Sequence, residues 1–537
     1  MLLDIEALTR KLQHVGMKDV GIAVASVFAY LLLRRAFRRR TTPLKGPSSN
    51  NFFFGVVPEL MEAPDSGVIH EGWAYVYGSV FTIPHLVGSK AVILTDPKAI
   101  QHFFSRETYG YVQTPNSKRF LEKLLGRGLF WAEGDSHKRQ RRALNPAFSN
   151  ASIKDLTPIF YDSAYKAKAI WDRLIDGNPE GAIIEVQQWM NHVSLDTIGL
   201  AGFSHDFETL SGKTSEVATA FDELGSTKPS SFQFAMFLLS LLFPILSKIP
   251  TGRRNSLARL GAAMRGMADK FINASGTAKE AEAANDKSVI GLLVKSASTE
   301  HITQEEVIAQ INVLLLAGYE TTAISLTWAL IELSRHADIQ DTLRAELVGA
   351  EGADPTWDEF TNGLPFLDAF TCEILRIHPP LFEIQRSAAE DDILPLSAPI
   401  QSATGRMVDN IFITKGTTVT VPIRCLNRSL EFWGPDAKEF KPDRWLNPSA
   451  DPYKAQELQG YRHLLTFSDG ARQCLGKGFA LAEFKAVLSV LVRNYVFELP
   501  KGPDTEIGQH RNLLPRPKVA GEEGYSVPLR VRHYVAE

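Results

Sequence analysis

Cysteine is scarce in this sequence, because only Cys372, Cys425 and Cys474 occur among 537 residues. So few cysteines exclude a disulfide framework, and no Cys/His cluster has the spacing of a zinc site. Neither sign of charge is in excess, since the formal net charge is −3, which excludes a strongly basic nucleic-acid binder. Apolar residues make up 44% of the chain, so it is no disordered polymer. The composition fits a large core and free thiols in a reducing compartment.

Internal repeats and long low-complexity linkers are also absent from residue 52 onward, which favours one large domain. Val80–Leu86 and Ala91–Thr95 flank a glycine-serine turn and predict a hairpin. Most of the following chain has helical periodicity, with polar breaks near Ala274–Asp286 and Leu396–Asn410. Short runs of strand-forming residues return late: Ile411–Thr414, Thr418–Val421 and Tyr525–Val531. The predicted fold is mainly α with a minor β-sheet.

An uncharged, mostly apolar stretch at Val20–Leu33 is followed at once by a cluster of arginines. It is shorter than the about 20 residues of a spanning helix, but flanking basic side chains can snorkel and extend it. A cleaved signal peptide lacks its small-residue cleavage site here, and a helix lying on the membrane surface is the alternative. We predict an uncleaved anchor with a basic, proline-containing hinge at 1–45, and one domain at 46–537. The positive-inside rule leaves that domain in the cytosol, where the sequons at Asn150, Asn273 and Asn427 are not glycosylated.

A second apolar run, Phe232–Leu246, is interrupted by polar residues and Pro244, so it does not predict another span. It fits helices that dip into the membrane surface or line an apolar channel. Buried core is an equally good interpretation.

A capping box at Thr303 and a long apolar pattern after it predict an unusually long helix. At its centre lies Ala317–Thr322, where Gly318 removes bulk and a threonine hydroxyl can bond the carbonyl four residues back. This fits a groove for a small ligand, with Glu320 and Thr321 passing protons. A buried helix that tolerates one glycine fits equally well.

Glu373 and Arg376 have the spacing of an ion pair on an apolar helix that ends at two prolines. Such pairs usually lie on the surface and contribute only a few tenths of a kcal/mol. The run Phe440–Trp445 adds a second guanidinium, that of Arg444, in an aromatic setting. Two arginines and one carboxylate can lock a core, so we predict a structural role for the three side chains.

The run Phe467–Gly476 opens directly into an apolar helix. Cys474 lies just before this helix, where the helix dipole and Arg472 favour a thiolate. Gly470 and Gly476 allow backbone to approach a flat ligand closely, while Phe467 can shield the sulfur from water. This environment suits an iron–thiolate bond.

Two alternatives for this loop fit less well. A nucleophilic cysteine needs a histidine base, for which no local signature identifies a candidate. A phosphate-binding loop needs Ser or Thr after its lysine, and Gly478 follows Lys477 here.

With these motifs the chain resembles the cytochrome P-450 family of haem-thiolate monooxygenases, in particular microsomal and fungal members, over nearly its whole length. Four motifs in the family's order carry the resemblance: Ala317-Gly318-x-Glu320-Thr321, Glu373-x-x-Arg376, Phe440-x-Pro442-x-Arg444 and Phe467-x-x-Gly470-x-Arg472-x-Cys474-x-Gly476. The resemblance implies haem b with Cys474 as the iron ligand, and dioxygen activation by Thr321 with Glu320. It also implies a single haem domain behind a membrane anchor.

One position departs from the family pattern. Family members usually carry a Trp and an Arg four residues apart on an early helix, where they bond a haem propionate, and here His137 precedes Arg141. Histidine can still donate a hydrogen bond, so the resemblance implies that His137 and Arg141 keep this role. Arg386 and Arg472 resemble the remaining propionate ligands.

Electrons have to come from another protein, since the chain has no dinucleotide fingerprint and no flavin domain. The resemblance implies an NADPH-cytochrome reductase, an acidic flavoprotein, as partner, and a cytochrome b-type donor as a second one. The basic run His137–Arg142 can dock the reductase, or form a solvated helix face or targeting signal. The other expected partners are membrane lipid of the endoplasmic reticulum and a lipophilic small molecule.

The expected reaction is insertion of one oxygen atom into that molecule, in secondary metabolism such as terpenoid biosynthesis. Steroids, fatty acids and xenobiotics are alternative substrates. A haem-thiolate isomerase or dehydratase that does not use dioxygen, and a non-catalytic haem sensor, are alternative functions, but neither needs both a proton relay and a reductase surface.

Overall fold

A long central helix, Gln304–Arg335, organises the fold in this computed structural model. The Thr303 side chain accepts from the N–H of Glu306, whose carboxylate accepts from the N–H of Thr303, so the predicted capping box is confirmed. The structure describes residues 41–535 except 179, 227–235, 237–238, 241–251, 276–287, 298–300, 350–352, 447–453, 512 and 523. The predicted anchor, nearly all of the apolar run at 232–246 and most of the predicted break at 274–286 therefore lie outside the described residues.

Helices form most of the described chain, as the periodicity predicts. They are α1 Val57–Glu62, α2 Ser66–Tyr77, α3 Pro97–Ser105, α4 Pro115–Leu125, α5 Gly134–Leu144, α6 Asn150–Ile175, α7 Val186–Phe203, α8 Glu216–Ser226, α9 Gly252–Ser275, α10 Val289–Ala297, α11 Gln304–Arg335, α12 Ala337–Gly349, α13 Trp357–Asn362, α14 Pro365–Ile377, α15 Ile423–Asn427, α16 Leu430–Trp433 and α17 Lys477–Asn494. Short 3-10 turns occur at Leu86–Gly88, Asn145–Phe148, Pro442–Trp445, Lys454–Glu457 and Gly470–Arg472.

The strands are fewer and shorter. They are β1 Val80–Pro84, β2 Lys90–Leu94, β3 Tyr111–Val112, β4 Ala182–Glu185, β5 Ile384–Ala388, β6 Asp392–Gln401, β7 Met407–Ile413, β8 Thr418–Val421, β9 Tyr495–Glu498, β10 Ile507–Arg511, β11 Pro515–Val519 and β12 Pro528–His533. The larger sheet has the order β1-β2-β8-β5-β3, in which β2 and β8 are parallel. A three-stranded sheet has the order β4-β12-β9, and β6-β7 and β10-β11 are separate hairpins.

The hydrophobic core lies among α6, α7, α11 and α17. Helix α11 packs against α7 along much of its length, and α17 packs against α6. Within the described residues, α11 is the one helix long and apolar enough to cross a membrane, but 72% of its apolar window is buried in protein. We therefore interpret α11 as a core helix.

Most of the predicted elements are present, and one is wrong. The hairpin of β1 and β2 pairs Val80 with Leu94, and the late strands β7, β8 and β12 overlap the predicted runs. The polar break predicted at Leu396–Asn410 contains instead the end of β6, a turn and the start of β7. Most side chains of this stretch are exposed although the strand backbones are paired, so low hydrophobicity there does not mark a loop.

Candidate active site

The cysteine loop leads directly into α17, whose N-cap is Gly476. A 3-10 turn at Gly470–Arg472 precedes Cys474, whose backbone N–H donates to the carbonyl of Phe467 at 2.8 Å. Gly470 has φ +64°, and a Cβ added to it would lie 2.3 Å from the carbonyl oxygen of Phe104. A Cβ at Gly476 would meet only Phe148, at 3.7 Å. Close approach to the backbone of Phe104 therefore explains why residue 470 is glycine. At position 476 a larger side chain would meet no close contact.

Cys474 is the one cysteine of the three with an exposed side chain, since the other two are buried. Burial nevertheless raises the pKa of its thiol, while the N–H of Gly476 and the charges of Arg141 and Lys477 lower it in part. The N–H of Gly476 and the nearby positive charges favour the thiolate, as predicted, but burial outweighs them, and Arg472 is not among these charges. A metal ion bound to the sulfur would supply the missing charge.

Positive side chains from three separate elements surround His137 on α5. Burial, the largest cause, and the charges of Arg472, Arg141 and Arg386 together lower the pKa of His137 to about 3. The imidazole is therefore neutral, and one of its two nitrogens can donate a hydrogen bond. The four predicted propionate partners thus lie close to one another, and three of them are cations.

Only two carboxylates balance this group of cations among the described residues. Arg472 lies 2.6 Å from Glu133 and also donates to the carbonyl of Ala132, while its buried Nε has no partner. Arg386 lies 2.9 Å from Glu107. The charge of Arg141, rather than that of Arg472, acts on Cys474. The site therefore has spare donors for the anionic groups of a ligand.

Helix α11 is continuous through the predicted defect. The Thr321 hydroxyl donates to the carbonyl of Ala317 at 2.7 Å, as predicted from the sequence, and both residues are partly exposed. Gly318 does not widen a groove at its own position, because a Cβ there would lie 2.8 Å from Ile198 of α7. The glycine permits close packing of α11 on α7.

Comparison with known proteins decides the family. The profile of the cytochrome P-450 family matches residues 45–520. Cytochrome P-450 monooxygenase claQ of Ampulloclitocybe clavipes is 54% identical over 97% of this chain and 99% of its own length. Cytochrome P-450 monooxygenase claW of the same fungus is 54% identical over 95% of this chain and 96% of its own length. Cytochrome P-450 monooxygenase 205 of Postia placenta (strain ATCC 44394 / Madison 698-R) is 33% identical over 96% and 98%, respectively.

The chain belongs to the cytochrome P-450 family. It is therefore an oxidoreductase of the kind that binds haem through a cysteine thiolate and uses dioxygen. The residues present fit that cofactor. The accessible sulfur of Cys474 would bind the iron, and His137, Arg141, Arg386 and Arg472 would hold the propionates, with the unpartnered Nε of Arg472 as a free donor.

The carboxylate of Glu320 does not project freely beside Thr321 in this P-450. It is fully buried and lies 3.2 Å from both Nε and Nη2 of Arg516 on β11, and the N–H of Leu514 also donates to it. Burial raises the pKa of Glu320 and the arginine opposes this. Sequence analysis did not identify Arg516, since a single arginine in a late strand carries no signal that separates it from a surface residue.

A second buried carboxyl, Glu483 on α17, was also missed. Burial, opposed in part by the hydroxyls of Ser194 on α7 and Thr322 on α11, raises its pKa to about 8. Among the described residues, neither carboxyl oxygen of Glu483 accepts a well-aligned hydrogen bond. Its position was a usable signal, because an acidic residue inside the apolar run 479–492 is a candidate for burial, which acidic side chains otherwise avoid.

The predicted structural core is present. Arg376 binds both carboxylate oxygens of Glu373 at 2.8 Å, and both side chains are fully buried. Arg376 also donates to carbonyls in the segment that leads to the cysteine loop, namely those of Asn427, Ala437 and Glu439. Arg444 contacts Asp436 at 3.0 Å and Glu373 only at 3.5 Å. It therefore supports the pair from outside rather than completing it.

The basic run His137–Arg142 is less exposed than its sequence indicates. His137 and Gln140 are buried, Arg139 donates to Glu306 at 3.0 Å, and Arg141 faces Cys474. Lys138 and Arg142 are the exposed cations of the run. A docking surface on α5 would therefore present two of the predicted positive charges, those of Lys138 and Arg142.

Proposed function

We propose that this P-450 is a membrane-anchored monooxygenase of the endoplasmic reticulum that oxygenates a lipophilic small molecule in secondary metabolism, such as a terpenoid. One atom of dioxygen enters a C–H bond of the substrate. The other leaves as water with two protons and two electrons, which NADPH supplies through a separate flavoprotein reductase. The observation that carries the proposal is the convergence of Cys474, three arginines and a neutral His137 from distant parts of the chain.

Bound haem with a thiolate ligand supplies the chemistry of O–O cleavage and oxidation of unactivated C–H bonds. The described residues bind and orient the cofactor. Cys474 provides the sulfur, held by the backbone bond to Phe467 and the N–H of Gly476. The ring of Phe467 packs edge-on against Tyr461 and limits water near the loop.

Thr321 is the group that we propose passes protons to dioxygen. Its hydroxyl is accessible and holds its own proton toward the carbonyl of Ala317, so it can accept a hydrogen bond from the groove side. Glu320 contributes through its ion pair with Arg516, which keeps the carboxylate beside the centre of α11.

The electron donor that we propose is an acidic reductase, with a cytochrome b-type protein as a second donor. Lys138 and Arg142 are exposed on α5, and Lys477 stands at the start of α17 beside the cysteine loop. These cations favour an acidic partner near Cys474. The membrane location is supported by the apolar stretch 20–33 and the arginines after it.

Reconstitution tests the proposal directly. The full chain is expressed in yeast microsomes with a reductase, and terpenoid, steroid, fatty-acid and aromatic compounds are screened by spectral shift and product mass. We expect product with one added oxygen atom in air, NADPH dependence, and no product under nitrogen. Turnover that is unaffected by removal of dioxygen would instead support the isomerase or dehydratase alternative.

A further inference from the structure

Glu107 is a buried carboxyl at the junction of the three elements that carry the proposed propionate ligands. Helix α3, which ends two residues before it, packs on the 3-10 turn of the cysteine loop. The carbonyl of Thr108 accepts from the N–H of Gly134, the first residue of α5, at 3.0 Å. The carbonyl of Gly110 accepts from the N–H of Ala389, directly after β5, at 2.8 Å. The turn that contains Glu107 is therefore fixed to all three elements.

The backbone directly after Glu107 is strained. Thr108 has φ +74°, which is rare for a residue branched at Cβ. Its N–H donates to the carbonyl of Tyr111 at 2.9 Å, so a tight turn holds this conformation. Strained residues of this kind persist where the surrounding structure fixes them, and they cluster at functional sites. A role of this turn in binding the cofactor would explain why the strain is kept.

The polar atoms around Glu107 are incompletely paired. Its side chain has no exposed surface and lies 2.9 Å from Arg386. This contact is not an aligned hydrogen bond, because among the described residues both oxygens of Glu107 and the Nε of Arg386 lack a hydrogen-bond partner. The Nε of Arg472, whose charge reaches Glu107, lacks one as well. Buried polar atoms are normally paired, so these atoms together mark the place of a polar ligand.

The charges of this cluster do not balance once haem is bound. Its charged side chains are Arg141, Arg386, Arg472, Glu107 and Glu133. Three arginines against two carboxylates leave one positive charge, and two ionised propionates would turn it into one negative charge in a buried site. Charges away from water need compensation, which one proton taken up from solvent provides.

Glu107 is the carboxyl best placed to hold this proton. Glu133 already has an ion pair with Arg472 at 2.6 Å, and 14% of its side chain is exposed, whereas that of Glu107 is fully buried. Burial raises the pKa of Glu107, and the charge of Glu133 raises it too, while Arg386 and Arg472 lower it. A propionate carboxylate beside it would raise this pKa further.

We propose that Glu107 is a haem-binding residue whose carboxyl keeps its proton and donates a hydrogen bond to a propionate. Such a bond is strong because its acceptor is charged. It pairs a buried carboxyl that has no aligned hydrogen bond in the described chain, and it leaves the arginines to bind the propionates. The inference rests on haem binding, which membership of the family establishes, and does not depend on the substrate proposed above.

Two substitutions separate the hydrogen bond from the charge. Glu107→Gln keeps a neutral donor of nearly the same shape, whereas Glu107→Leu removes the donor. Haem release from the haem-loaded full chain is measured as transfer to apomyoglobin, and the midpoint potential is measured by spectroelectrochemistry. Glu390→Gln is the matched control, because its carboxylate is exposed and pairs with Arg106, the residue before Glu107.

We expect Glu107→Leu to release haem about tenfold faster, because a hydrogen bond to a charged group is lost. Glu107→Gln should release haem within about twofold of the unmodified rate, since it keeps a donor. Its midpoint potential at pH 7 should also match that of the unmodified protein, because neither side chain is charged. Loss of an ionised carboxylate would instead favour reduced haem, and a tenfold change in the ratio of reduced to oxidised haem corresponds to about 59 mV. Glu390→Gln should change neither quantity.

A positive shift of that size in Glu107→Gln overturns the proposal, because it shows an ionised carboxylate in the unmodified protein. Unchanged haem release from Glu107→Leu overturns it as well, and so does equally fast release from both variants. Unfolding temperature establishes that each variant folds, and Glu107→Ala, with the same expected result, takes the place of a Glu107→Leu variant that does not. If the reduced, carbon-monoxide-bound unmodified protein lacks the red-shifted Soret band, the proposed function fails. If the band is present, each contrary result removes only the role of Glu107.

Discussion

Arg516 on β11 and Glu320 on α11 form an ion pair at 3.2 Å in which neither side chain has any exposed surface. The Arg516 guanidinium also lies 4.7 Å from the ring centroid of Tyr525. The pair therefore joins the late hairpin β10-β11 to the centre of the longest helix. Burial of two charges is tolerated only while both are present, because each compensates the desolvation of the other.

Removing one partner of this pair should cost more than removing both. We expect Arg516→Met to destabilise the fold by about 3–5 kcal/mol, since it leaves a buried carboxylate without its charge partner. Addition of Glu320→Gln should recover a large part of that loss. Thermal unfolding measures both variants, and Lys518→Met on the same strand serves as the control. Equal destabilisation in the single and double variants would show that the pair is not coupled.

The thiolate ligand is tested by its spectrum. Cys474→Ala should abolish the strongly red-shifted Soret band of the reduced, carbon-monoxide-bound protein. Cys425→Ala is the matched control, because Cys425 is buried and burial raises the pKa of its thiol. If Cys474→Ala keeps the band and Cys425→Ala loses it, the ligand has been assigned to the wrong cysteine.

Two threonines on α11 make a matched comparison for proton delivery. Thr321 donates to the carbonyl four residues back at 2.7 Å, and fully buried Thr327 does the same at 2.8 Å. Thr321→Ala should lower the product formed per NADPH consumed several-fold, because the oriented hydroxyl through which protons would pass is then lost. Thr327→Ala should leave that ratio unchanged. A similar fall in both variants would assign the effect to helix stability.

The chemistry-bearing residues of this site were largely readable from local sequence, whereas their partners were not. Cys474, Arg376 and the capping box of α11 belong to short patterns whose spacing fixes their relation. The Glu320–Arg516 pair joins residues separated by 196 positions, so no local pattern reveals it. The sequence left two interpretations of Gly318 open for the same reason, since Ile198, which excludes a larger side chain there, lies on another helix.

Glu483 should make stability depend on pH. Its pKa is about 8 in the folded protein and 4.5 for the ordinary group, so between these values folding takes up a proton. The free energy of unfolding is therefore highest at low pH and falls as the pH rises between these two values, by about 1.4 kcal/mol per pH unit. Glu483→Gln keeps the hydrogen-bonding shape and should remove this slope. Denaturant unfolding from pH 5 to 8 measures it.

The control for this experiment is Glu305→Gln, an exposed carboxylate at the start of α11. It should leave the pH dependence as in the unmodified protein. Curves for Glu483→Gln and the unmodified protein that run parallel across this range would contradict the assigned pKa.

The buried Glu373–Arg376 pair should be needed for haem loading. Arg376→Met removes the side chain that ties α14 to three carbonyls of the segment before the cysteine loop. We expect a loss of about 3–5 kcal/mol and little haem-loaded protein. Lys154→Met, in an exposed pair with Asp358, should change neither quantity. Normal haem content in Arg376→Met would remove its structural role.

Periodicity predicted the secondary structure correctly where side chains face the core. The prediction failed where the side chains face water. Helices α14 and α17 were both predicted, because apolar repeats mark their buried faces. The end of β6 and the start of β7 lie in the predicted polar break at Leu396–Asn410, since many of their residues are exposed and they pair across a turn. Strand pairing partners of this kind are set by tertiary contacts.

The haem site brings together residues 137–141, residue 386 and residues 472–474. The ribosome synthesises these three parts of the chain at widely separated times. A nascent chain can complete α5 long before the sulfur that faces it exists. Cofactor insertion consequently belongs to the end of synthesis, after nearly nine-tenths of the polypeptide has emerged. Supply of haem in the cell at that late moment, rather than during early translation, would set how much holoenzyme accumulates.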